Sequence, residues 1–238
     1  MRLDISDLAQ DFPDFRVAAV LVAGALIAPR NDHLGEEIAK REEDFRARWG
    51  ETALSEIPGV AVWRAAYRAF GIKKTSYRCS VERLAKNAQS ARPMPEINAF
   101  VDAYNAISLT HVMPLGADDL DCVTGDIAFR YSRPGDDFRD MGVTDRLGDP
   151  VSDPPKEGEV VYADADKVLC RRWNWRQDAR SLVTAKTTQA LVTVQYNGAG
   201  DLEAAVEDLR EILHRYCGGT SAFVIAEASN PTVELPEL

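Results

Sequence analysis

The segment after Pro95 carries three polar side chains at helical spacing. Asn98, Asp102 and Asn105 stand four and three residues apart, so a helix that begins near Pro95 places all three on one face. The positions between them are mostly apolar, which predicts that this helix is buried. Buried amides and a buried carboxylate must either find partners within the fold, for example as caps of strands and loops, or bind a ligand.

A second polar cluster is the sequence Cys-Arg-Arg-Trp-Asn-Trp-Arg over residues 170–176. If this segment is a strand, its side chains alternate between two faces. Both indoles then share a face, where they either anchor the core or stack on a base. The opposite face carries Arg172, Asn174 and Arg176. Two arginines beside an asparagine are costly to bury without an anionic partner, which could be Asp102, Asp119 or a ligand.

The 238 residues carry a formal net charge of −10, which argues against a nucleic-acid partner until the distribution of charge is considered. Residues 64–92 hold eight basic side chains and a single acid, Glu82. This basic zone could bind phosphate groups or simply solvate helix faces. The cations expected to contact nucleic acid are Arg64, Arg68, Lys73, Lys74 and Arg78.

The cysteines and histidines give no sign of metal, disulfide or cofactor chemistry. The four cysteines are scattered without a Cys-x-x-Cys pair, and none of the three histidines lies close to another. The longest apolar run, residues 17–28, is shorter than the roughly 20 residues of a membrane span. We therefore expect no metal, no cofactor, no membrane insertion and a location in the reducing cytoplasm.

Hydrophobic spacing and capping residues predict an α+β chain. A buried strand with a kink at Gly24 comes first, and residues 32–110 are predicted to be largely helical, with Asn31 or Asp32 as the first cap. A helix with an aspartate cap is predicted over residues 201–217. Strand-like runs occur at 127–131, 160–162, 168–170, 190–196 and 222–226. Residues 132–159 form a long excursion that could act as a lid.

Several motifs within residues 61–197 resemble one known family. These motifs are Ile97-Asn98, Val101-Asp102 and Asn105, then Pro114-Leu115 and Asp119, then Ile127-Ala-Phe-Arg130, and lastly Ala163-Asp-Ala-Asp-Lys-Val-Leu-Cys170. Their order and spacing are similar to those of the tRNA-recognition and editing module, the B-three/four domain, of the phenylalanyl-tRNA synthetase beta chain. The family has Thr where this chain has Tyr104, and His where it has Gly116.

The resemblance implies an editing-domain-like fold in which a helical N-terminal half packs on a β-sandwich-like sheet region. It implies one domain over residues 1–238. The matching core is 61–197, with a strand and helix extension over 1–60 and a helix, strand and arm over 198–238. The implied partner is tRNA, together with the amino-acid moiety of an aminoacyl-tRNA. The implied activity is hydrolysis of mis-acylated aminoacyl-tRNA in trans, and not that of a complete aminoacyl-tRNA ligase.

The resemblance also implies roles for the polar clusters. Asn105, Asn174 and His111 are the expected catalytic residues, with amides donating to the oxyanion and His111 replacing the family histidine as general base. A lone histidine is more often structural. The residues expected to bind substrate are Asn98, Asp102, Arg171, Arg172, Trp173, Trp175 and Arg176, with an arginine on the terminal phosphate and an indole on the terminal adenine. The bulky residues 171–178 replace a glycine-rich stretch of the synthetase, which implies a different or smaller substrate.

A non-catalytic module is the main alternative. Because Tyr104 and Gly116 replace the family Thr and His, the chain could bind tRNA or an amino-acid-like ligand without turnover. An enzyme acting on a free metabolite is a third possibility.

Overall fold

The predicted α+β class is confirmed in the computed structural model, which describes residues 1–73 and 76–237. The helices in this part of the chain are α1 (Asp32–Trp49), α2 (Pro58–Ala69), α3 (Ser80–Gln89), α4 (Ala99–His111) and α5 (Leu202–Cys217). The strands are β1 (Arg2–Asp4), β2 (Phe15–Ala23), β3 (Leu115–Asp119), β4 (Ile127–Tyr131), β5 (Arg139–Thr144), β6 (Pro150–Ser152), β7 (Val160–Ala163), β8 (Val168–Arg171), β9 (Arg176–Gln177), β10 (Gln189–Asn197), β11 (Thr220–Ala226) and β12 (Thr232–Glu234).

Side-chain caps determine where three of the helices begin. Asn31 and Asp201 cap α1 and α5 as the sequence predicts, each accepting a hydrogen bond from a backbone N–H of the first turn at 2.9 Å. The predicted start of the fourth helix near Pro95 is wrong. Asn98 has extended backbone angles, and its Oδ1 accepts from the backbone N–H of Val101 at 2.9 Å, so α4 begins at Ala99.

Two sheets carry most of the strands. One is antiparallel, with the order β11-β2-β10-β3, and the other has the order β12-β1-β4-β7-β8-β9, in which β1 and β4 run parallel. The N-terminal half is therefore not simply helical, because β1 and β2 occupy inner positions of these two sheets. Strand β2 is the predicted apolar run, and it is largely buried between β10 and β11. It ends before Gly24, whose φ of +70° makes the predicted kink.

A core of aromatic and aliphatic side chains joins the helices to both sheets. The ring of Trp173 lies edge-on to Phe15, with centroids 4.8 Å apart, and to Trp63 of α2, with centroids 5.1 Å apart. All three side chains are 1% exposed or less. Helix α4 packs against α1, α5 and β3, which is why nearly all of its residues are buried. This packing fixes α4 beside β3, where the candidate site forms.

The excursion predicted over residues 132–159 contains a two-stranded hairpin, β5 and β6. An isolated bridge between Asp140 and Asp178 attaches it beside β9. Met141, Val143 and Leu147 of this hairpin are exposed. No helix within residues 1–73 and 76–237 is both long and apolar enough to cross a bilayer.

Candidate functional site

A pocket of about 130 Å³ lies where α4, β3 and the turn after β8 meet. We call it the central pocket. Its walls come from Tyr104 and Asn105 of α4, residues 115–118 of β3, and Thr193 and Gln195 of β10. Ser80 of α3, residues of β7 and β8 and residues 174–177 complete the lining. The pocket thus combines two helices with strands of both large sheets.

Two of the predicted catalytic residues, Asn105 and Asn174, line the central pocket together. Asn105 is partly exposed, and its amide has no hydrogen-bond partner in the part of the chain that the structure describes. Asn174 is buried and fixed, because Tyr67 Oη shares its hydrogen between the backbone oxygen of Arg172 at 2.7 Å and Asn174 Oδ1 at 2.9 Å, and Asn174 Nδ2 donates to Gln195 Oε1 at 3.0 Å. Asn105 is therefore available to a ligand, whereas Asn174 holds the wall in place.

Asp118 also lines the central pocket, although it is not among the site residues expected from the sequence. It is 3% exposed, and its Oδ1 accepts hydrogen bonds from Ser181 Oγ at 2.6 Å and from Gln177 Nε2 at 3.0 Å. Burial raises the pKa of this carboxyl to about 7, although both hydrogen bonds act in the opposite direction. The sequence feature that could have indicated a buried carboxylate is its place in a strand that also carries the apolar, buried residues Leu115 and Ala117.

Two buried hydroxyl groups from the lining residues have no hydrogen-bond partner among residues 1–73 and 76–237. They are Ser80 Oγ and Tyr162 Oη. Burial and the negative charge of Asp118 raise the pKa of Tyr162, so its hydroxyl stays protonated and can donate. An unpaired buried hydroxyl costs about 1–3 kcal/mol, which a polar ligand that bonds to it would recover.

The expectation of one strand through residues 170–176 is wrong. β8 ends at Arg171 and β9 begins at Arg176, and between them Arg172 and Trp173 have left-handed backbone angles, with φ of +49° and +66°. The chain turns because the Trp173 side chain enters the core, where it packs against Phe12, Phe15 and Trp63. Trp173 is therefore a core anchor and cannot stack on an adenine.

The side chain of Arg172 is buried between two aromatic rings. Its guanidinium carbon lies 3.8 Å from the ring centroid of Tyr77 and 4.3 Å from that of Trp175. Its Nη2 is 3.5 Å from a Glu159 oxygen, and its Nε and Nη1 have no hydrogen-bond partner within the described ranges. Burial lowers the pKa of Arg172. Trp175 is half-buried and lines the central pocket, so this stack supports the pocket wall.

Acidic residues on neighbouring segments neutralise the other two arginines of this region. Arg171 is 1% exposed, lies 2.8 Å from Glu159 and also pairs with Asp153. All three nitrogens of its guanidinium donate hydrogen bonds within the fold, so Arg171 is not available to a terminal phosphate. Arg176 lines the central pocket and pairs with Asp140 of the β5–β6 hairpin at 2.8 Å. This ion pair ties the hairpin to the edge of the pocket.

Asp102 and Asp119, the carboxylates expected to neutralise Arg172 and Arg176, have other partners. Asp102 is fully buried and pairs with Arg30 Nε at 2.9 Å. Asp119 accepts a hydrogen bond from Thr187 Oγ1 at 2.6 Å. Neither Asp102 nor Asp119 lines the central pocket. The expected role of Asp102 in binding substrate is therefore not supported by its position.

Asn98 and His111 lie at the two ends of α4 and outside the central pocket. Asn98 caps the helix, and its Nδ2 donates to the backbone oxygen of Val183 at 3.3 Å. His111 Nε2 is 3.0 Å from Asp208 Oδ2 on α5. The structure thus gives both side chains partners within the fold, and His111 is not placed to act as a general base at Asn105.

The cations predicted to contact nucleic acid come together in a depression of about 130 Å³ between α2 and α3, which we call the basic depression. It is lined by Arg64, Arg68, Lys73 and Arg78, together with Glu82. The Glu82 carboxylate pairs with Arg64 at 2.7 Å and with Arg78 at 2.8 Å, whereas Arg68 and Lys73 are exposed. Lys74, the fifth predicted cation, lies outside the described residues.

The basic depression and the central pocket share a wall. Tyr77 lines the depression and packs edge-on against Trp175 of the pocket, with ring centroids 5.1 Å apart. Tyr67, which also lines the depression, donates its hydroxyl hydrogen to Asn174. A ligand with both an anionic part and a small polar part could therefore occupy the two sites together.

Comparison with known proteins identifies the family. The family model of the B3/4 domain matches residues 62–218, which is more than half of the chain and extends the expected core of 61–197 through α5. One similar solved structure is an N-terminal fragment of the phenylalanyl-tRNA synthetase beta subunit from Pyrococcus horikoshii. The similarity has a TM-score of 0.46 and 12% identity, and it covers 92% of this chain but only 49% of that fragment. No curated protein matches. The chain belongs to the B3/4 domain family.

Proposed function

We propose that this protein binds the acylated 3′ end of a tRNA and hydrolyses the ester between the amino acid and the terminal ribose. The observation that carries the proposal is the wall shared by the basic depression and the central pocket. RNA binding draws on cations that contact phosphates, and ester hydrolysis needs a pocket for the amino acid beside them. Membership of the B3/4 domain family supports an RNA partner of this kind.

The basic depression supplies the contacts for the RNA backbone. Four cationic side chains line it, against one carboxylate, so it keeps a positive surplus although the whole chain carries a net charge of −10. Arg68 and Lys73 are exposed and can reach phosphates directly. Tyr77, at the shared wall, offers an aromatic surface for the terminal base.

Hydrolysis in the central pocket needs no covalent bond between the substrate and the protein. The oxygen of a bound water forms a bond to the ester carbonyl carbon, the bond to the ribose oxygen breaks, and that oxygen leaves with a proton from the water. Asn105 Nδ2 donates to the carbonyl oxygen as negative charge develops on it. Burial raises the pKa of Cys170, so this neighbouring side chain stays a protonated thiol and does not act as a nucleophile.

The test is deacylation of a panel of aminoacyl-tRNAs by the purified protein. We expect hydrolysis of at least one of them above the rate in buffer, and an Asn105→Ala variant that is slower by about 100- to 1,000-fold. Because the Asn105 amide has no partner in the described chain, this variant should fold normally. Asn87→Ala on α3, outside both sites, is the matched control and should keep full activity.

Two results would contradict the proposal. One is a parent protein that hydrolyses no aminoacyl-tRNA, and the other is an Asn105→Ala variant as active as the parent. A parent protein that binds aminoacyl-tRNA but releases no amino acid would instead identify a non-catalytic binding module, the alternative that the replacement of the family Thr and His suggests.

A further inference from the structure

We infer that the central pocket selects a small, polar amino acid of about the size of serine and holds its α-ammonium group on the carboxylate of Asp118. This inference rests on the proposed function, because it names the class of amino acid that the same site accepts. Three features of the pocket support it, namely its size, the buried carboxylate of Asp118 and two hydroxyls without hydrogen-bond partners in the described chain.

The volume of the pocket limits the amino acid to a few side-chain atoms. An engineered cavity of about 150 Å³ holds a benzene ring, and the central pocket measures about 130 Å³. The ammonium nitrogen, α-carbon and ester carbonyl of the substrate take about four heavy atoms of that space, which leaves about one or two for the side chain. An aromatic side chain does not fit with them.

The walls are held so that they do not open easily to a larger side chain. Trp175 is packed against Tyr77 on one side and against the Arg172 guanidinium on another. Asn174 is fixed by hydrogen bonds from Tyr67 and to Gln195. Rearranging this wall would break both sets of contacts, so the volume acts as a limit on size.

Asp118 supplies a negative charge for the ammonium group. Its Oδ1 already accepts two hydrogen bonds, from Ser181 and Gln177, whereas its Oδ2 has no hydrogen-bond partner within the described part of the chain. An α-ammonium group carries hydrogen-bond donors and a positive charge, and it therefore complements a buried carboxylate with a vacant oxygen. An N-acylated amino acid lacks that charge.

The unpaired hydroxyls favour a polar side chain over an alkyl one. Ser80 Oγ and Tyr162 Oη are buried without partners within residues 1–73 and 76–237. A substrate hydroxyl can both donate and accept, so it can satisfy groups that alanine leaves unpaired. Sites that hydrogen-bond a substrate hydroxyl discriminate strongly against analogues that lack it.

The first experiment compares deacylation rates of seryl-, alanyl-, phenylalanyl- and tyrosyl-tRNA, and of N-acetylseryl-tRNA. We expect kcat/KM for seryl-tRNA to exceed those for the two aromatic substrates and for the N-acetyl form by at least about 10-fold. Equal or faster hydrolysis of the aromatic substrates would overturn the inference and leave the proposed function standing.

The second experiment measures binding of adenosine analogues that carry the amino acid on a 3′-amide, which the protein cannot hydrolyse as an ester. The parent should bind the seryl analogue more tightly than the tyrosyl and N-acetylseryl analogues. Asp118→Asn keeps the acceptor oxygen for Ser181 but loses the negative charge. It should therefore weaken binding of the seryl analogue by about 10- to 100-fold and leave binding of the N-acetylseryl analogue unchanged. Asp121→Asn, an exposed change outside the pocket, is the control.

A third variant tests the size limit. A Cβ at Gly116 meets no heavy atom within 4 Å, so Gly116→Val should fold while narrowing the pocket that it lines. This variant should weaken binding of the seryl analogue at least about 10-fold more than binding of the glycyl analogue. Analogue preferences as predicted without any ester hydrolysis would retain this inference and refute the catalytic proposal. Absence of a preference among the analogues would refute the inference.

Discussion

Asp118 stands in an environment that opposes its charge. Burial favours the protonated carboxyl, whereas the hydrogen bonds from Ser181 and Gln177 favour the ionised form, and burial is the larger effect. Its pKa of about 7 means that a small change in its surroundings, such as the arrival of an ammonium group, converts it to the ionised form near neutral pH.

We predict that the Asp118→Asn variant gains stability relative to the parent protein as the pH rises. In the unfolded chain this carboxyl has its ordinary pKa of 3.8, so between pH 4 and 7 the folded state binds more protons at this site. The stabilising contribution of the Asp118 carboxyl to the free energy of unfolding is therefore fully present below pH 4 and is lost as the pH rises through 7. The asparagine variant does not titrate.

Urea unfolding of both proteins at pH 4 and pH 8 checks this prediction. The free energy of unfolding of the variant minus that of the parent should grow by a few kcal/mol, about 4 at most, between the two values. Asp121→Asn, on the exposed surface, serves as control. A difference that does not change with pH would show that Asp118 titrates normally.

A second prediction concerns Glu159, the buried carboxylate beside Arg171 and Arg172. Glu159→Gln leaves the Arg171 guanidinium, which is 1% exposed, without its main counter-charge. We expect this change to lower the free energy of unfolding by about 3–5 kcal/mol. The control is Asp153→Asn, because the Asp153 side chain is 51% exposed and should contribute less than about 1 kcal/mol. Equal losses of stability from both changes in chemical denaturation would contradict the role of Glu159 as the main counter-charge of Arg171.

The sequence could indicate which residues around α4 are polar, but not which of them remain available. Asn98 is occupied by the backbone of its own helix, and Asp102 by Arg30, 72 residues earlier in the chain. Asn105 has the same side chain as Asn98 but lies in the middle of α4, where the backbone groups are paired within the helix. These differences depend on helix ends and on distant partners, which spacing alone does not reveal.

At the scale of elements, the end of α4 offers a direct test of what Asn98 does. Asn98→Ala removes the acceptor for the Val101 N–H, so we expect a loss of about 1 kcal/mol in the free energy of unfolding. Asn98→Asp keeps the cap and should restore stability. Deacylation kcat/KM should stay within about two-fold of the parent in both variants. A stable Asn98→Ala protein with strongly reduced activity would instead support the substrate-binding role predicted from the sequence.

The turn after β8 shows why a local pattern gave the wrong element. The alternating Arg-Trp-Asn-Trp-Arg sequence suits a strand, since aromatic residues favour strands. Burial of Trp173 among Phe12, Phe15 and Trp63 instead places two successive residues in left-handed backbone angles. These core partners lie more than 100 residues away in the sequence, so no short window contains the cause.

At the scale of the whole molecule, charge is separated rather than uniform. The net charge of −10 repels RNA in general, but the basic depression collects cations at the wall that it shares with the central pocket. If RNA binds as proposed, the basic depression attracts it while the overall negative charge opposes binding elsewhere, which would orient its approach.

We predict that tRNA binding weakens steeply with salt and depends on this one surface. Arg68→Ala together with Lys73→Ala should weaken binding and reduce the slope of log K against log salt by roughly one unit per cation removed. The charge-matched control, Lys40→Ala with Arg48→Ala on α1, should leave the slope unchanged. Equal effects of the two double variants in a filter-binding titration would show that the field of the whole protein, and not the basic depression, binds the RNA.

The helices and the strands differ in how far the sequence could predict them. Local signals located the caps at Asn31 and Asp201 and the kink at Gly24, because each acts on neighbouring backbone. Short strands such as β1, β5 and β12 were not predicted, since most of their residues are polar or glycine and give no apolar pattern. The order of strands in the two sheets depends on pairings between distant segments, which composition and spacing do not determine.

The pairing of β1 with β12 has a consequence for the order in which the sheet forms. Leu3 lies opposite Val233 and, on its other side, next to Ile127 of β4. A three-residue strand pairs weakly alone, so β1 gains its second neighbour only after residue 234 has been synthesised. We therefore expect stable closing of the six-stranded sheet to be a late folding step, slow because it joins segments that are far apart in the sequence.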